Sequence, residues 1–139
     1  MEEQAQGESV TVGDLAAKVL VVEDVEQLSR LCCLMLEDAG LVSAAVPDAE
    51  AALAELQAHA GKYAVVLTDL TMPGMSGLAL IREVRTHWPT LRTILMTGVT
   101  DVAFDEVDSA ARPDALMRKP FTRQSMREAM EAAGVHLAD

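Results

Sequence analysis

Short runs of consecutive apolar residues alternate along the chain with longer segments in which apolar residues recur every three or four positions. Such runs are typical of buried β-strands, and the longer period is typical of amphipathic helices. The predicted strands are residues 18–22, 41–46, 64–68, 92–96 and 115–117. The predicted helices are residues 26–39, 49–60, 77–87, 101–111 and 122–133. The pattern therefore predicts five strand–helix units in succession.

Local signals support several helix boundaries. Asp48 and Ser76 precede the second and third predicted helices, where their side chains can cap free backbone amides. Gly40 follows the first helix as a C-terminal stop, and Pro113 helps to end the fourth. The fourth helix, at 101–111, is acidic and short of leucine, so we expect it to be short or mobile.

The strands predict the fold class. Their apolar runs are continuous rather than alternating, which indicates a parallel sheet covered by helices on both faces. Right-handed crossovers then bring the carboxyl ends of all strands to one edge. We therefore predict a single doubly wound α/β domain. Residues 1–17 are rich in Gln, Glu, Gly and Ser with little periodicity, and we predict that they form a flexible N-terminal tail.

Composition narrows the classes of function. The chain has 139 residues and a net charge of −11, with only 11 Lys and Arg residues. A phosphate backbone would be repelled, so we expect no direct binding to nucleic acid. No apolar run approaches the roughly 18 residues that a membrane span needs, and the acidic start lacks the pattern of a signal peptide. These features predict a cytoplasmic protein without membrane contact, and solubility alone is enough to explain the bulk charge.

The cysteines and histidines offer little chemistry. Cys32 and Cys33 are neighbours in a helical pattern, without a CxxC spacing or a nearby histidine, so we predict structural roles for both. The predicted core stripe of that helix comprises Leu28, Leu31, Cys32 and Met35. The histidines are scattered singly along the chain, and we assign none of them a catalytic role; they are His59, His87 and His136.

Chemically active side chains follow four of the five predicted strands. Glu23 and Asp24 follow the first strand, and Asp69 follows the third. Thr97 follows the fourth strand, and Lys119 follows the fifth. Ligand sites of open α/β sheets lie outside the carboxyl ends of the strands, so we expect these side chains to meet there.

Taken singly, each residue also has an ordinary structural explanation. Asp24 can be a helix cap, Asp69 can be a turn former, and Lys119 can be a solvated strand end. Their joint occurrence along one edge favours a functional site over coincidence.

The residue types at this edge suit phosphoryl transfer. Three carboxylates packed together repel one another, and a divalent cation such as Mg²⁺ removes that conflict. Asp24 and Asp69 would supply direct carboxylate ligands, and Glu23 could hold a metal-bound water. An aspartate can also attack phosphorus to form an aspartyl phosphate. The cation, Lys119, the Thr97 hydroxyl and backbone amides would then neutralise the phosphoryl oxygens.

Four stretches resemble one known family, the receiver domain of bacterial two-component response regulators. They are VLVVED at 19–24, LTDLTMPGMSG at 67–77, MTG at 96–98 and RKPF at 118–121. The resemblance covers about residues 18–133, which leaves 134–139 as a C-terminal tail. It implies a flavodoxin-like (βα)5 sheet with strand order 2-1-3-4-5.

The resemblance also implies roles for the residues at the edge. Asp69 matches the phospho-acceptor, and Glu23 and Asp24 match the acidic pair that binds Mg²⁺ together with it. Thr97 matches the hydroxyl that moves onto the phosphoryl group, and Lys119 matches the lysine that pairs with it. The protein would then be no enzyme beyond catalysing its own phosphorylation and dephosphorylation.

One position departs from the family pattern. The family commonly has an aromatic residue three positions before the lysine, and this chain has Leu116 there. Leu116 is therefore the second expected switch residue, but it cannot make the inward–outward swing of a ring. The bond between Lys119 and Pro120 is expected to be cis, as is usual in the family. Thr71 and Val99 are expected to flank the phosphoryl group and to tune hydrolysis.

The expected partners are a histidine kinase or histidine phosphotransfer protein and a downstream protein target. The family docking faces point to Val25, Ser29 and Phe121. The resemblance leaves open a free-standing receiver, which is slightly favoured, and a receiver fragment of a hybrid histidine kinase. Two other hypotheses are a pseudo-receiver that binds partners constitutively and a phosphohydrolase with an aspartate nucleophile. The phosphohydrolase would need a second acid where Thr71 stands.

Overall fold

In a computed structural model of the chain, the structure describes residues 10–11, 18–98, 109–119 and 121–137. The strands are β1 Val10–Thr11, β2 Lys18–Val22, β3 Val42–Val46, β4 Val65–Asp69, β5 Arg92–Thr97, β6 Ala115–Arg118 and β7 Val135–His136. The α-helices are α1 Glu26–Asp38, α2 Ala49–His59, α3 Gly77–His87 and α4 Arg123–Ala132. Short 3-10 turns cover Ala60–Lys62 and Ser109–Ala111.

The central sheet has the predicted winding. Its five strands are all parallel and lie in the order β3-β2-β4-β5-β6. Counted along the chain within this sheet, that order is 2-1-3-4-5, so the predicted flavodoxin-like topology is confirmed. Because the chain winds outward from β2 in both directions, the crevice at the carboxyl ends of β2 and β4 becomes the natural ligand site.

Alternating residues of the inner strands β2 and β4 supply two separate cores. Val19 and Val21 of β2 face one side of the sheet and pack in a cluster with α1 and α4. Leu20 and Val22 face the other side and pack with α2 and α3. A strand that faces a core on both sides needs apolar residues on both faces, which is why these inner strands appear in the sequence as continuous apolar runs rather than alternating ones.

The two predicted N-caps are present at the starts of α2 and α3. The Asp48 side chain accepts a hydrogen bond from the Ala51 amide at 2.8 Å, and Ser76 accepts one from the Ala79 amide at 3.1 Å. Gly40 follows α1 with a φ of 87°, a left-handed conformation that suits glycine. The N-cap position of α1 belongs to Val25.

Helix α1 is rotated relative to its predicted core stripe. Its buried residues are Ser29, Cys32 and Leu36, whereas Leu31 is 39% exposed, so the prediction of Leu31 as a core residue is wrong. The burial predicted for Cys32 is confirmed, and its sulfur lies 3.7 Å from the Met96 sulfur in β5. The prediction for Leu31 failed because α1 contacts the sheet through residues spaced by three and four, and the same spacing in the sequence also fits a neighbouring face of the helix.

Two short strands lie outside the predicted units. β1 pairs in parallel with β7, and Val10 is in register with Val135. Val135 is fully buried in the core on the side of α1 and α4. A pair of two residues is too short to produce a periodic pattern, which is why neither strand was expected. The predicted tail boundaries at 17 and 134 stay predictions.

Three other expectations fall outside the described residues. Positions 101–108 of the predicted fourth helix are among them, and Ser109–Ala111 forms only the short turn given above. Val99 and Pro120 are also outside, so the cis geometry expected before Pro120 stays a prediction. In the part of the chain that is described, no helix is both long and apolar enough to cross a membrane.

Candidate functional site

Strand β4 ends on the carboxylate of Asp69 at the crevice between the two halves of the sheet. All five residues of β4 are buried, so the strand position is determined by packing on both faces. Asp69 is 7% exposed, and its Oδ1 accepts a hydrogen bond from the Leu70 amide at 3.0 Å. The acid is therefore held at the edge of the core, with one oxygen oriented by the backbone that follows it.

Glu23 and Asp24 approach Asp69 from the end of β2. Carboxylate oxygens of these three residues all lie within 4.8 Å of one another. Glu23 is 2% exposed, and its Oε2 accepts a hydrogen bond from the Val25 amide at 3.1 Å. Asp24 is exposed. Adjacent residues of the acidic pair thus differ in environment, because one side chain turns into the crevice and the other faces solvent.

Lys119 closes the site from the end of β6. Its Nζ lies 3.2 Å from Asp69 Oδ1 and 3.6 Å from Glu23 Oε1. Its backbone amide donates to the Thr97 carbonyl at 2.7 Å, which continues the pairing of β6 with β5 beyond the strand. The ammonium is therefore placed by the sheet, and it contacts carboxylates from two different strands.

The charges at the site are mutually dependent. Burial raises the pKa of Glu23, and the negative charge of Asp69 adds to that effect. The Val25 amide and the charge of Lys119 oppose it. Partial burial lowers the pKa of Lys119, but the charge of Asp69, its hydrogen bond to the ammonium and the charge of Glu23 outweigh that effect, so that the pKa is raised overall. The single ammonium thus stays protonated and offsets only part of the negative charge.

The acidic cluster fits a small divalent cation. Glu23 Oε1 is buried and has no hydrogen-bond partner among the described residues, although Lys119 lies near it. A buried carboxylate oxygen that accepts no hydrogen bond is costly unless a cation or an ordered water contacts it, and the Lys119 ammonium at 3.6 Å meets this need only in part. Mg²⁺ prefers such hard oxygens and needs only one or two direct carboxylates. Glu23, Asp24 and Asp69 therefore form a suitable donor set.

The two expected switch positions lie on β5 and β6. Thr97 is the last residue of β5 and is 1% exposed. It follows Met96, which is the register partner of Asp69, so the backbone brings Thr97 to the same edge of the sheet. Leu116 lies on β6 opposite Leu95 and is partly buried.

The residues expected for partner docking differ in accessibility. Val25 is 44% exposed at the start of α1, whereas Ser29 and Phe121 are each only 8% exposed. Phe121 nevertheless lines a shallow cavity of about 350 Å³ that reaches the site. The remaining residues of that cavity are Leu28, Leu31, Gly98 and Lys119. An apolar depression therefore borders the ammonium of the site on the side of α1.

Gly77 is a positioning residue that the sequence analysis did not single out. A Cβ atom at Gly77 would lie 2.0 Å from the carbonyl oxygen of Asp69. The Gly77 amide also donates to the Leu70 carbonyl at 2.8 Å. The first turn of α3 thus packs directly on the backbone that carries the acid, and only glycine permits it. The signal in the sequence was a glycine immediately after the capping Ser76, where a side chain would normally be tolerated.

Comparison with known families identifies a matching domain. The model of the family described as "Response regulator receiver domain" matches residues 19–131. That range contains all of the central sheet except Lys18, the first residue of β2, and every residue of the site described above.

Individual relatives agree with the family match. The chain is 29% identical over 116 residues to the chemotaxis protein CheY of Pseudomonas aeruginosa, covering 82% of this chain and 93% of that protein. It is 37% identical over 116 residues to the two-component response regulator PhoP of the same species, covering 83% of this chain but 50% of PhoP. The crystal structure of a response regulator receiver domain protein from Clostridium thermocellum superposes with a TM-score of 0.73 at 27% identity, covering 84% of this chain and 93% of that one.

Proposed function

Because the chain belongs to the response regulator receiver domain family, we propose that Asp69 accepts a phosphoryl group from a phosphohistidine of a histidine kinase or phosphotransfer protein. The observation that carries this proposal is the contact of Lys119 Nζ with Asp69 Oδ1 at 3.2 Å, beside the acidic cluster of Glu23 and Asp24. The domain would act as a phosphorylation-switched signalling module in a two-component system rather than as an enzyme with an external substrate.

The chain supplies most of what the transfer requires. An oxygen of the Asp69 carboxylate attacks phosphorus, the P–N bond to the donor imidazole breaks, and that ring nitrogen keeps the bonding electron pair. When bound by Glu23, Asp24 and Asp69, Mg²⁺ would neutralise oxygens of the transferring phosphoryl group. Lys119 balances further negative charge, and the buried Thr97 at the end of β5 is the expected partner of the product phosphoryl group.

A small phosphodonor tests this chemistry without a partner protein. The full chain is incubated with acetyl phosphate in Mg²⁺ or in EDTA, and the intact mass is measured over time. We expect the mass of one phosphoryl group to be added only with Mg²⁺, and to be lost on hydroxylamine treatment. Asp69→Asn should abolish the gain, whereas Asp38→Asn, at an exposed acid at the far end of α1, should leave it unchanged. Equal labelling of the parent and of Asp69→Asn would refute the proposal.

The cation requirement can be tested separately from the acceptor. Asp24→Asn keeps Asp69 intact but removes one of the three candidate ligands. We expect a higher Mg²⁺ concentration for half-maximal phosphorylation, with little change in folding stability because Asp24 is exposed. An unchanged Mg²⁺ requirement would exclude Asp24 from the metal site while leaving the role of Asp69 intact.

The phosphodonor protein is proposed to dock on the apolar surface beside Lys119. This surface is lined by Leu31 of α1 and by Phe121 after β6. We extend it to the exposed Val25, which precedes α1 and whose amide contacts Glu23 of the site. Val25→Glu should slow transfer from a histidine phosphotransfer protein without slowing transfer from acetyl phosphate. Val42→Glu is a matched control, because Val42 is similarly exposed at 50% but lies on β3. Equal effects of both variants would argue against this docking surface.

Leu116 is the observation that favours a second candidate function, a pseudo-receiver that binds its partner constitutively. An aliphatic side chain lies where the family commonly has an aromatic ring, and it is partly buried opposite Leu95. A pseudo-receiver would bind its downstream partner equally well with and without phosphate, so Asp69→Asn would leave that binding unchanged. We favour phosphorylation-dependent signalling because the acidic cluster and Lys119 are all present at one edge.

The proposal concerns the receiver domain and includes a cytoplasmic location. Among its relatives, the chain spans nearly all of CheY but only half of PhoP, so free-standing receivers and receivers within longer proteins both match it. The free-standing form and the hybrid-kinase fragment therefore both remain compatible with the proposed chemistry.

A further inference from the structure

The exposed apolar surface of the described residues is concentrated on one side of the domain. Every large apolar side chain that is exposed there belongs to α1, to its N-cap position or to the neighbouring strand β3. They are Val25, Leu31, Leu34 and Val42. Val25 and Leu31 lie toward the phosphorylation site, whereas Leu34 and Val42 border a different feature, a groove between α1 and β3.

The groove follows the open edge of the central sheet. β3 is an edge strand of the sheet, and α1 lies beside it, so that residues of both elements line the groove. The groove has a volume of about 790 Å³, and its apolar wall includes Cys33, Leu34 and Val42. Its charged lining residues all come from α1, and they are Glu26, Arg30 and Glu37.

Among the described residues, no strand pairs with the outer edge of β3. The Val46 carbonyl accepts from the Glu23 amide at 3.1 Å, so the polar groups of Val46 face β2. Because successive residues of a strand direct these groups to opposite sides, Ala44 and Val42 also face β2, and Ser43 and Ala45 face the open edge. The strand sequence VSAAV contains no charge and no proline, the devices that usually protect an exposed edge.

We propose that β3 pairs with β3 of a second copy of this chain in an antiparallel two-fold arrangement centred on Ala44. In this register Ser43 of one copy faces Ala45 of the other, and each such pair exchanges two backbone hydrogen bonds, giving roughly four in total. Val42 of one copy faces Val46 of the other, which covers the exposed Val42 side chain. The two central sheets would then form one continuous sheet.

Charge complementarity on α1 favours a second copy over an unrelated strand. The groove is lined by α1 from Glu26 to Glu37 and by β3 from Val42 to Ala45, and in the proposed dimer we place the two-fold axis near Cys33 and Leu34. Residues of α1 that lie equally far before and after that point along the helix then face each other across the axis. Arg30 of each copy therefore meets Glu37 of the other copy, which gives two ion pairs. The net charge of −11 on each copy opposes association at long range, but salt screens it beyond about 8 Å at physiological ionic strength.

A charge swap tests the pairing on the full chain. Sedimentation velocity over a range of protein concentrations should show a reversible monomer–dimer equilibrium. Arg30→Glu and Glu37→Arg should each raise the dimer Kd about tenfold, because each replaces two attractions by two repulsions. The double swap should restore the parent Kd. The two single variants change net charge in opposite directions, so an effect of overall charge cannot weaken both. Glu128→Arg, on the exposed face of α4, is the control and should not weaken the dimer.

A backbone substitution tests the strand pairing. Ala45→Pro removes an amide that faces the open edge and leaves the bonds to β2 in place, so the circular dichroism spectrum and melting of the monomer should be preserved. It should raise the dimer Kd about 30-fold, because two of the proposed hydrogen bonds are lost. In the parent, amide exchange of Ser43 and Ala45 should slow as protein concentration rises.

Three results would overturn the proposal. The first is a chain that stays monomeric up to its solubility limit. The second is a dimer that is unaffected by Ala45→Pro and by the single charge reversals. The third is protection of Ser43 and Ala45 that appears only when an extended peptide of other sequence is added, which would assign the edge to a foreign strand. None of these results depends on phosphorylation of Asp69.

Discussion

Replacing Gly77 by alanine is a direct test of how the fold positions the phospho-acceptor. The new Cβ would lie 2.0 Å from the Asp69 carbonyl oxygen and 2.9 Å from its carbonyl carbon. Real Cβ atoms essentially never approach other atoms within 3.0 Å, so the first turn of α3 and the end of β4 must separate by about 1 Å. The position of the Cβ is set by the backbone of residue 77, and the atoms that it meets are backbone atoms of Asp69, so no side-chain rotation can relieve the contact.

The separation has two consequences. Overpacking of this kind typically costs about 1–3 kcal/mol of folding free energy. In addition, either the 2.8 Å hydrogen bond from Gly77 to Leu70 lengthens or Asp69 moves relative to Lys119. A misplacement of about 1 Å at a reacting group can reduce a rate about 100-fold. We therefore expect Gly77→Ala to lower both stability and the rate of phosphorylation by acetyl phosphate.

Two other glycines provide matched controls. At Gly61 an added Cβ meets nothing within 4 Å, and at Gly98, beside the site, its nearest neighbour is the Lys119 Cδ at 3.8 Å. Urea unfolding and phosphorylation rates with acetyl phosphate and Mg²⁺ are measured for all three alanine variants. Gly61→Ala and Gly98→Ala should retain parental rates. If Gly77→Ala phosphorylates within twofold of the parent at unchanged stability, the reasoning from the close backbone contact is wrong.

Three further predictions address stability, capping and the metal site. Burial and a 2.6 Å hydrogen bond to Glu55 raise the pKa of Tyr63, the only tyrosine, to about 12. Because the unfolded chain loses this proton near pH 10, stability should fall by about 2–3 kcal/mol as the pH rises from about 10 to about 12. In Tyr63→Phe, the folding free energy measured by urea unfolding should no longer show this fall between about pH 10 and about pH 12. A pH profile equal to that of the parent would contradict the prediction. Asp48→Ala should cost about 1 kcal/mol in the same assay, because the Ala51 amide loses its cap; a loss below the error of the measurement would count against the cap. Glu23→Gln should raise the melting temperature in EDTA, because a disfavoured buried charge is removed. The same substitution should reduce the rise in melting temperature that Mg²⁺ produces. An undiminished rise with Mg²⁺ would exclude Glu23 from cation binding.

The chemistry of the site depends on residues that are far apart in sequence but close at one sheet edge. Asp69 and Lys119 are 50 positions apart and make a 3.2 Å contact. Their elements, β4 and β6, are separated by β5, so the lysine reaches across the end of that strand. Any change that alters the register of β5 with either neighbour should therefore affect the contact even without touching the two side chains.

Much of the fold follows from the sequence alone. The inner strands β2, β4 and β5 are buried on both faces and are therefore largely apolar, which made them visible as continuous runs. The partly exposed edge strands β3 and β6 were visible as mostly apolar runs of the same kind. Short polar side chains at helix starts act within three residues of themselves, so the caps by Asp48 and Ser76 were also predictable. Parallel strands with right-handed crossovers share one carboxyl edge, which is why residues from four strands could be expected to meet.

Tertiary structure alone decided how those residues are distributed between core and solvent. Glu23 and Asp24 are neighbours of the same type, yet one is buried with a raised pKa and the other is exposed. Leu31 fits the helical period as well as Leu36 does, but only Leu36 faces the sheet. The close approach of Gly77 to Asp69 leaves no periodic signal, because it depends on how α3 meets the end of β4. Periodicity and capping are properties of neighbouring residues, whereas burial and contact depend on the relative placement of whole elements, and that placement is set by packing of the complete chain.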